Sequence, residues 1–183
     1  MRAAIVLSCV LAVGVAEARD RRGLWIVSAH SHEELRVRPF GRYGIPERHA
    51  WARLTRLFRS RRTQERRAVH PRLLRVLAQI QRHFDGGRLA VVSGYRHVGK
   101  TSYHGVGHAV DVSIAGVWHR ALFEYCRTVT SNLGCGLYPN MPFVHIDVRS
   151  RAALWVDIGP PGQGRKYVAN PIVWLAANPP AGK

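Results

Sequence analysis

Residues 134–148 read Gly-Cys-Gly-Leu-Tyr-Pro-Asn-Met-Pro-Phe-Val-His-Ile-Asp-Val. Two apolar segments, Gly134–Tyr138 and Phe143–Val148, flank the turn-forming Pro139-Asn140-Met141-Pro142. Short apolar runs joined by a Pro/Asn turn predict two antiparallel strands. Just upstream, Val117–Leu133 has Trp118, Ala121, Leu122, Tyr125 and Val129 at helical spacing. Before it, Leu89–Ser93 is short, apolar and β-branched, and Ala109–Ile114 alternates. Both read as strands.

Further towards the N-terminus the period changes to that of helices. Pro46 opens a pattern carrying Trp51, Leu54, Leu57 and Phe58, and Pro71 suits the first turn of a second helix. Leu73, Leu74, Leu77, Ile80 and Phe84 form its apolar stripe, with Arg72, Arg75 and Arg82 mostly on the other side. Asp85-Gly86-Gly87 ends it. Arg59–Arg67 (RSRRTQERR) is a charged connector, and Leu24–Ser28 suits a short edge strand. After Gly159 the chain is rich in Pro and Gly, with Trp174 and Leu175 left to pack in Pro171–Ala177. Helices first and strands second predict a single α+β domain, an antiparallel sheet with helices packed on one face. The expected divisions are a signal peptide over residues 1–18, an irregular segment over 19–45, the main domain over 46–158 and an extension over 159–183.

Met1–Ala18 (MRAAIVLSCVLAVGVAEA) has one Arg, an apolar run and Ala16-Glu17-Ala18, an A-x-A cleavage pattern. That is the form of a secretory signal peptide, and the run is short for a stable membrane span. Its alternatives are a core helix or an uncleaved anchor. Cys9 would leave with the signal. Lys plus Arg number 28 against 11 acids, a net charge of +17. Such a chain seeks anionic partners. Export makes nucleic acid a poor partner and an anionic envelope surface a good one. Cys126 and Cys135 meet an oxidising compartment, and their spacing allows a helix-to-strand disulfide, with two buried free thiols as the alternative.

Chemistry concentrates in three places. Ser93-Gly94-Tyr95-Arg96 closes a strand, Ser102-Tyr103-His104-Gly105-Val106-Gly107-His108-Ala109-Val110-Asp111 follows, and Phe143-Val144-His145-Ile146-Asp147 comes later. Singly, His104 or His145 reads as an ordinary surface or core histidine, and Asp111 as a cap. Together, two imidazoles and one carboxylate on a glycine-rich loop and two strands make a three-ligand zinc set, with a fourth position left for water.

These same segments, with Gly134-x-Gly136-x-Tyr138-Pro139, resemble the zinc peptidases of the hedgehog/D,D-peptidase fold. The branch they most resemble is the YcbK-like murein endopeptidases, related to D-alanyl-D-alanine carboxypeptidases. The resemblance covers about residues 46–155. It implies zinc bound by His104, Asp111 and His145, and an exported enzyme that cuts peptidoglycan peptides. It implies Arg96 as a clamp for an oxyanion or a substrate carboxylate, and Ser102 as support for the loop or the substrate. Many relatives carry a Glu three residues before the last His, where this chain has Pro142. Asp147 or His108 is left as general base. Asp147 is the preferred one, with orientation of His145 as its other possible role. The link from Arg96 to Ser102 is also short for the family, which implies an open groove. A non-catalytic module that keeps the fold and the zinc is the alternative function.

Overall fold

The computed structural model describes residues 23–98 and 101–179. The expected signal peptide lies outside them. Seven strands form one sheet: β1 (Leu24–Ser28), β2 (Glu34–Val37), β3 (Leu89–Ser93), β4 (Ala109–Ile114), β5 (Leu133–Leu137), β6 (Val144–Val148) and β7 (Ala153–Val156). Their order across the sheet is β2-β1-β3-β4-β6-β5-β7. The helices are α1 (Arg48–Leu57), α2 (Pro71–His83), α3 (His119–Val129) and α4 (Pro171–Ala177).

The sheet is mixed, which corrects the expectation of a purely antiparallel one. Its centre, β3-β4-β6-β5, is antiparallel, but β1–β3 and β5–β7 run parallel. The reason at β7 is edge availability. Both edges of β6 are taken by β4 and β5. The chain therefore reverses after β6 and joins the far edge of β5, which makes β7 parallel to β5. β1 is not an edge strand; β2, unforeseen although its burial alternates, covers it.

Alternation assigns the two faces of the central strands. Val110, Val112 and Ile114 of β4, Leu133, Cys135 and Leu137 of β5, and Val144, Ile146 and Val148 of β6 enter one core. Leu73, Leu74, Leu77 and Ile80 of α2 meet them there, as do Leu122, Phe123 and Cys126 of α3. The alternate residues turn to the other face, among them Asp111, His145 and Asp147.

α3 is shorter than its apolar spacing predicts. Thr130 is extended and Asn132 takes φ 67°, so the chain turns there and Leu133 enters β5. Cys126 on α3 and Cys135 on β5 form a disulfide across this turn. The C-terminal stretch docks on the domain: Leu175 of α4 is buried, and Arg120 donates to the Leu175 carbonyl at 2.7 Å and to that of Asn178. No described helix is long and apolar enough to cross a membrane.

Candidate metal centre

A single transverse row of the sheet builds the site. Ser93 of β3 pairs with Asp111 of β4, Asp111 with His145 of β6, His145 with Gly136 of β5, and Gly136 with Trp155 of β7. β3 would present the wrong residue here, but its register shifts between Val91 and Ser93, which brings Ser93 into the row. His104 comes from the turn before β4. Gly107 closes that turn at φ +75°, and a side chain there would collide with the Ala68 carbonyl.

His104, Asp111 and His145 are all buried, and one ligand atom from each lies within 4.8 Å of the others. His145 Nδ1 is 2.9 Å from Asp111 Oδ1 and 3.1 Å from His104 Nε2. Each imidazole is fixed through its other nitrogen. His104 Nδ1 bonds the Gly94 carbonyl at 2.6 Å, and His145 Nε2 meets Asp147 Oδ2 at 3.0 Å. A carbonyl or carboxylate on the outer nitrogen aims the inner one at a metal. Two imidazole nitrogens and one carboxylate oxygen, buried and convergent, suit a borderline-soft divalent cation such as zinc.

Arg96 stands at the lip, with its side chain 41% exposed. Its Nε donates to Ser93 Oγ at 2.9 Å, and its Nη2 donates to Asp111 Oδ2 and, at 2.8 Å, to His104 Nε2. Arg96 thus engages one carboxylate oxygen of Asp111 while the other faces the histidines. Burial would raise the Asp111 pKa, but bonds to His104 and His145 outweigh it and hold the carboxyl well below the usual range. Burial would lower His145, but bonds to Asp111 and Asp147 hold it above an ordinary histidine.

Asp147 has no exposed surface. Arg149 donates to both of its oxygens, from Nε to Oδ1 at 2.6 Å and from Nη2 to Oδ2, while His145 takes Oδ2 as well. Burial would raise its pKa, yet these bonds keep it lowered. This arrangement suits a residue that fixes His145 better than one that exchanges protons with substrate. His108 is not among the three convergent residues. Its ring packs edge-on to His70, with centroids 4.4 Å apart, in a groove beside Trp51. Ser102 is half-buried in the turn that leads to His104.

The other wall of the site adds Trp155 and Arg149, which the sequence did not single out, to the Gly134-x-Gly136-x-Tyr138 motif. Gly134 and Gly136 of β5 make room for them. A methyl on Gly134 would run into Asp147 and Arg149, and one on Gly136 into the Trp155 indole. The indole therefore reaches within 5.1 Å of His145, centroid to centroid. Trp155 Nε1 donates to the Tyr138 hydroxyl at 3.3 Å, and the Arg149 guanidinium lies 4.5 Å from the Tyr103 ring centroid. Arg149, two residues past Asp147, carried an alternation signal. Trp155 carried none, because β7 itself was not foreseen.

The family model for the peptidoglycan L,D-endopeptidase MepK, Peptidase_M15_2, matches residues 16–153. The chain belongs to this peptidase family. The probable peptidoglycan L,D-endopeptidase MepK of Haemophilus influenzae is 31% identical over 112 residues, 52% of this chain and 59% of that protein. The match thus spans less than two thirds of that relative. The peptidoglycan L,D-endopeptidase MepK of Escherichia coli K12 is 29% identical over 141 residues, 69% of this chain and 76% of that protein. The relative from Shigella flexneri has the same identity and coverage. No solved structure matches the chain. Membership of the MepK family agrees with a buried His-Asp-His group able to hold a metal ion.

Proposed function

We propose that this chain is an exported zinc metallopeptidase that hydrolyses peptide bonds in peptidoglycan stem peptides or cross-links. The L,D bonds named for its relatives are the first to test. The observation that carries the reading is the buried convergence of His104, Asp111 and His145. We assign the fold to the hedgehog/D,D-peptidase type on the motifs, with residues 46–158 as the core of a peptidase domain whose sheet also takes in β1 and β2 from the segment expected to be irregular. Residues 1–18 are assigned as a signal peptide that delivers the chain to the periplasm or beyond.

Zinc, when bound by His104, Asp111 and His145, supplies a Lewis acid and a water acidified towards neutral pH. The protein's own residues do the rest. Asp147, clamped by Arg149, keeps His145 Nδ1 turned to the group. Arg96 orients Asp111 through Nη2 and has its Nη1 N–H groups left to offer the substrate's carbonyl oxygen or a neighbouring carboxylate. The Tyr138 hydroxyl accepts from Trp155, whose indole N–H can only donate. Its own hydrogen is thus left to be donated to substrate. Ser102 supports the His104 turn.

The test is digestion of purified muropeptide dimers by zinc-loaded protein, read by mass spectrometry. Cleavage by the wild type and its loss in His104→Ala are expected. If the loaded wild type yields no product and His104→Ala behaves identically, the enzyme reading fails. Retained binding to cell walls would then favour a zinc-containing binding module, which the enclosed Asp147 and the Pro142 position also suit.

A further inference from the structure

The connector Arg59–Arg67 is a built loop, and it stands beside the metal centre. Ser60 N–H donates to the Glu65 carbonyl, and Gln64 N–H to the Ser60 carbonyl, both at 2.9 Å. Ser60 Oγ accepts from Thr63 N–H at 3.2 Å, and Gln64 holds φ 58°. Arg59 is tied down by Glu33 at 3.0 Å and by Gln64 at 2.8 Å.

Both arms of the site grip this loop. Tyr95, next to Arg96, donates its N–H to the Phe58 carbonyl at 2.7 Å. Glu65, the loop's one acid, meets His97 Nδ1 at 2.6 Å and accepts from the Tyr95 hydroxyl at 3.4 Å. On the other side Gly107 of the His104 turn lies against Ala68 and the Arg67 stem, and its carbonyl accepts from His70 N–H at 2.9 Å. Glu65 and Arg59 are thereby used up within the fold. Arg61, Arg62, Arg66 and Arg67 are exposed, and none is ion-paired among the described residues.

We propose that Arg61, Arg62, Arg66 and Arg67 form a docking surface for the carboxylates of intact peptidoglycan, engaging stem peptides that neighbour the one in the groove. The inference rests on the peptidase reading above for the identity of its partner. Four cations of one sign, fixed by a hydrogen-bonded loop, make a field that a flexible tail would spread out. A guanidinium fork matches a carboxylate, and stem peptides present free carboxylates. Each exposed pair is weak and screened by salt. The surface therefore acts on a polymer that can meet several arginines together, and leaves a small soluble substrate unaffected.

The experiment compares the full-length wild type with the fourfold variant Arg61→Gln/Arg62→Gln/Arg66→Gln/Arg67→Gln. Co-sedimentation with purified sacculi is measured over a range of salt, beside turnover of a soluble muropeptide dimer. The variant is expected to bind sacculi about 10- to 100-fold more weakly, with a flatter salt dependence. Its turnover of the soluble dimer should stay within about twofold of wild type, and its metal content should be unchanged. If the fourfold variant misfolds, Arg61→Gln/Arg62→Gln carries the test, with a smaller loss in the same direction. Converting sacculus carboxylates to amides should bring wild-type binding down to the variant's level. Equal binding by wild type and variant overturns the proposal. So does wild-type binding that survives amidation, or that disappears only when wall phosphates are stripped. If sacculi are bound through these arginines but the soluble dimer is never cut, the peptidase reading fails and the docking surface stands.

Discussion

On β6, Val144, Ile146 and Val148 enter the core beneath α2 and α3, while His145 and Asp147, one residue away, turn to the opposite face. β4 and β5 repeat the division, with Val110, Val112, Leu133 and Leu137 on one side and Asp111, Gly134 and Gly136 on the other. One backbone thus serves two tasks. The apolar face supplies burial, which is non-directional and tolerant of shape-preserving change. The polar face needs particular atoms within a few tenths of an ångström. The stiffness generated by the first face is what holds the second in place.

The two faces should fail differently. Asp111→Asn changes the polar face and should cost the most: activity falls by at least about 10³-fold, the loss of several kcal/mol of transition-state stabilisation. Elemental analysis should find little zinc, while the chain still unfolds cooperatively. Ile146→Ala changes the apolar face of the same strand, and urea melts should show a loss of about 2–5 kcal/mol. Below the melting transition, its activity per folded molecule should match wild type; a loss as deep as that of Asp111→Asn would erase the distinction.

Replacing Cys126 and Cys135 by Ala should lower stability by about 3 kcal/mol, as expected for so short a closed loop. Both cysteines belong to the apolar side, so the muropeptide assay should again be spared. Gly136→Ala tests the border between the faces. Its methyl must displace the Trp155 indole, so stability should fall by about 1–3 kcal/mol and zinc content should fall with it. Unchanged Trp155 fluorescence in that variant would show that the slot is looser than the contacts indicate.

The smallest effect is acid sensitivity. Hydrogen bonds from Arg149 and His145 outweigh burial and hold Asp147 below its ordinary pKa. A carboxyl depressed in the folded state adds stability above its unfolded value of about 3.9, and that stability is lost as pH falls through the lower folded value. Wild type should therefore lose stability faster than Asp147→Asn below about pH 4. Parallel acid melts would mean that the Arg149 clamp contributes nothing to folding.

Much of this plan was legible in the sequence. Period-two and period-3.6 patterns located β1, β3 to β6 and the helices α1 to α3, because burial of an apolar face leaves its spacing in the chain; α4 was read only as a stretch that packs Trp174 and Leu175. The triad was legible because Gly107, His104 and Asp111 lie close together and His145 sits in an apolar strand. β2 and β7 were not: each has four residues, too few for a period to stand out. The surroundings of Asp147 were less legible. Spacing places it on the face of His145, but only tertiary contacts bring Arg149 onto both of its oxygens.

The chain's order of residues determined which side chains share a face, where the helices begin and which donor atoms are offered to a metal. Those follow from local geometry and from the period of hydrophobic burial, both one-dimensional. Only the tertiary structure decided that β7 would pass β6 to reach β5, that Trp155 would lie over Gly136 beside His145, and that the arginine loop would lock against both arms of the site. Those depend on which edges remain open and which volumes remain unfilled, and neither exists until the strands have assembled.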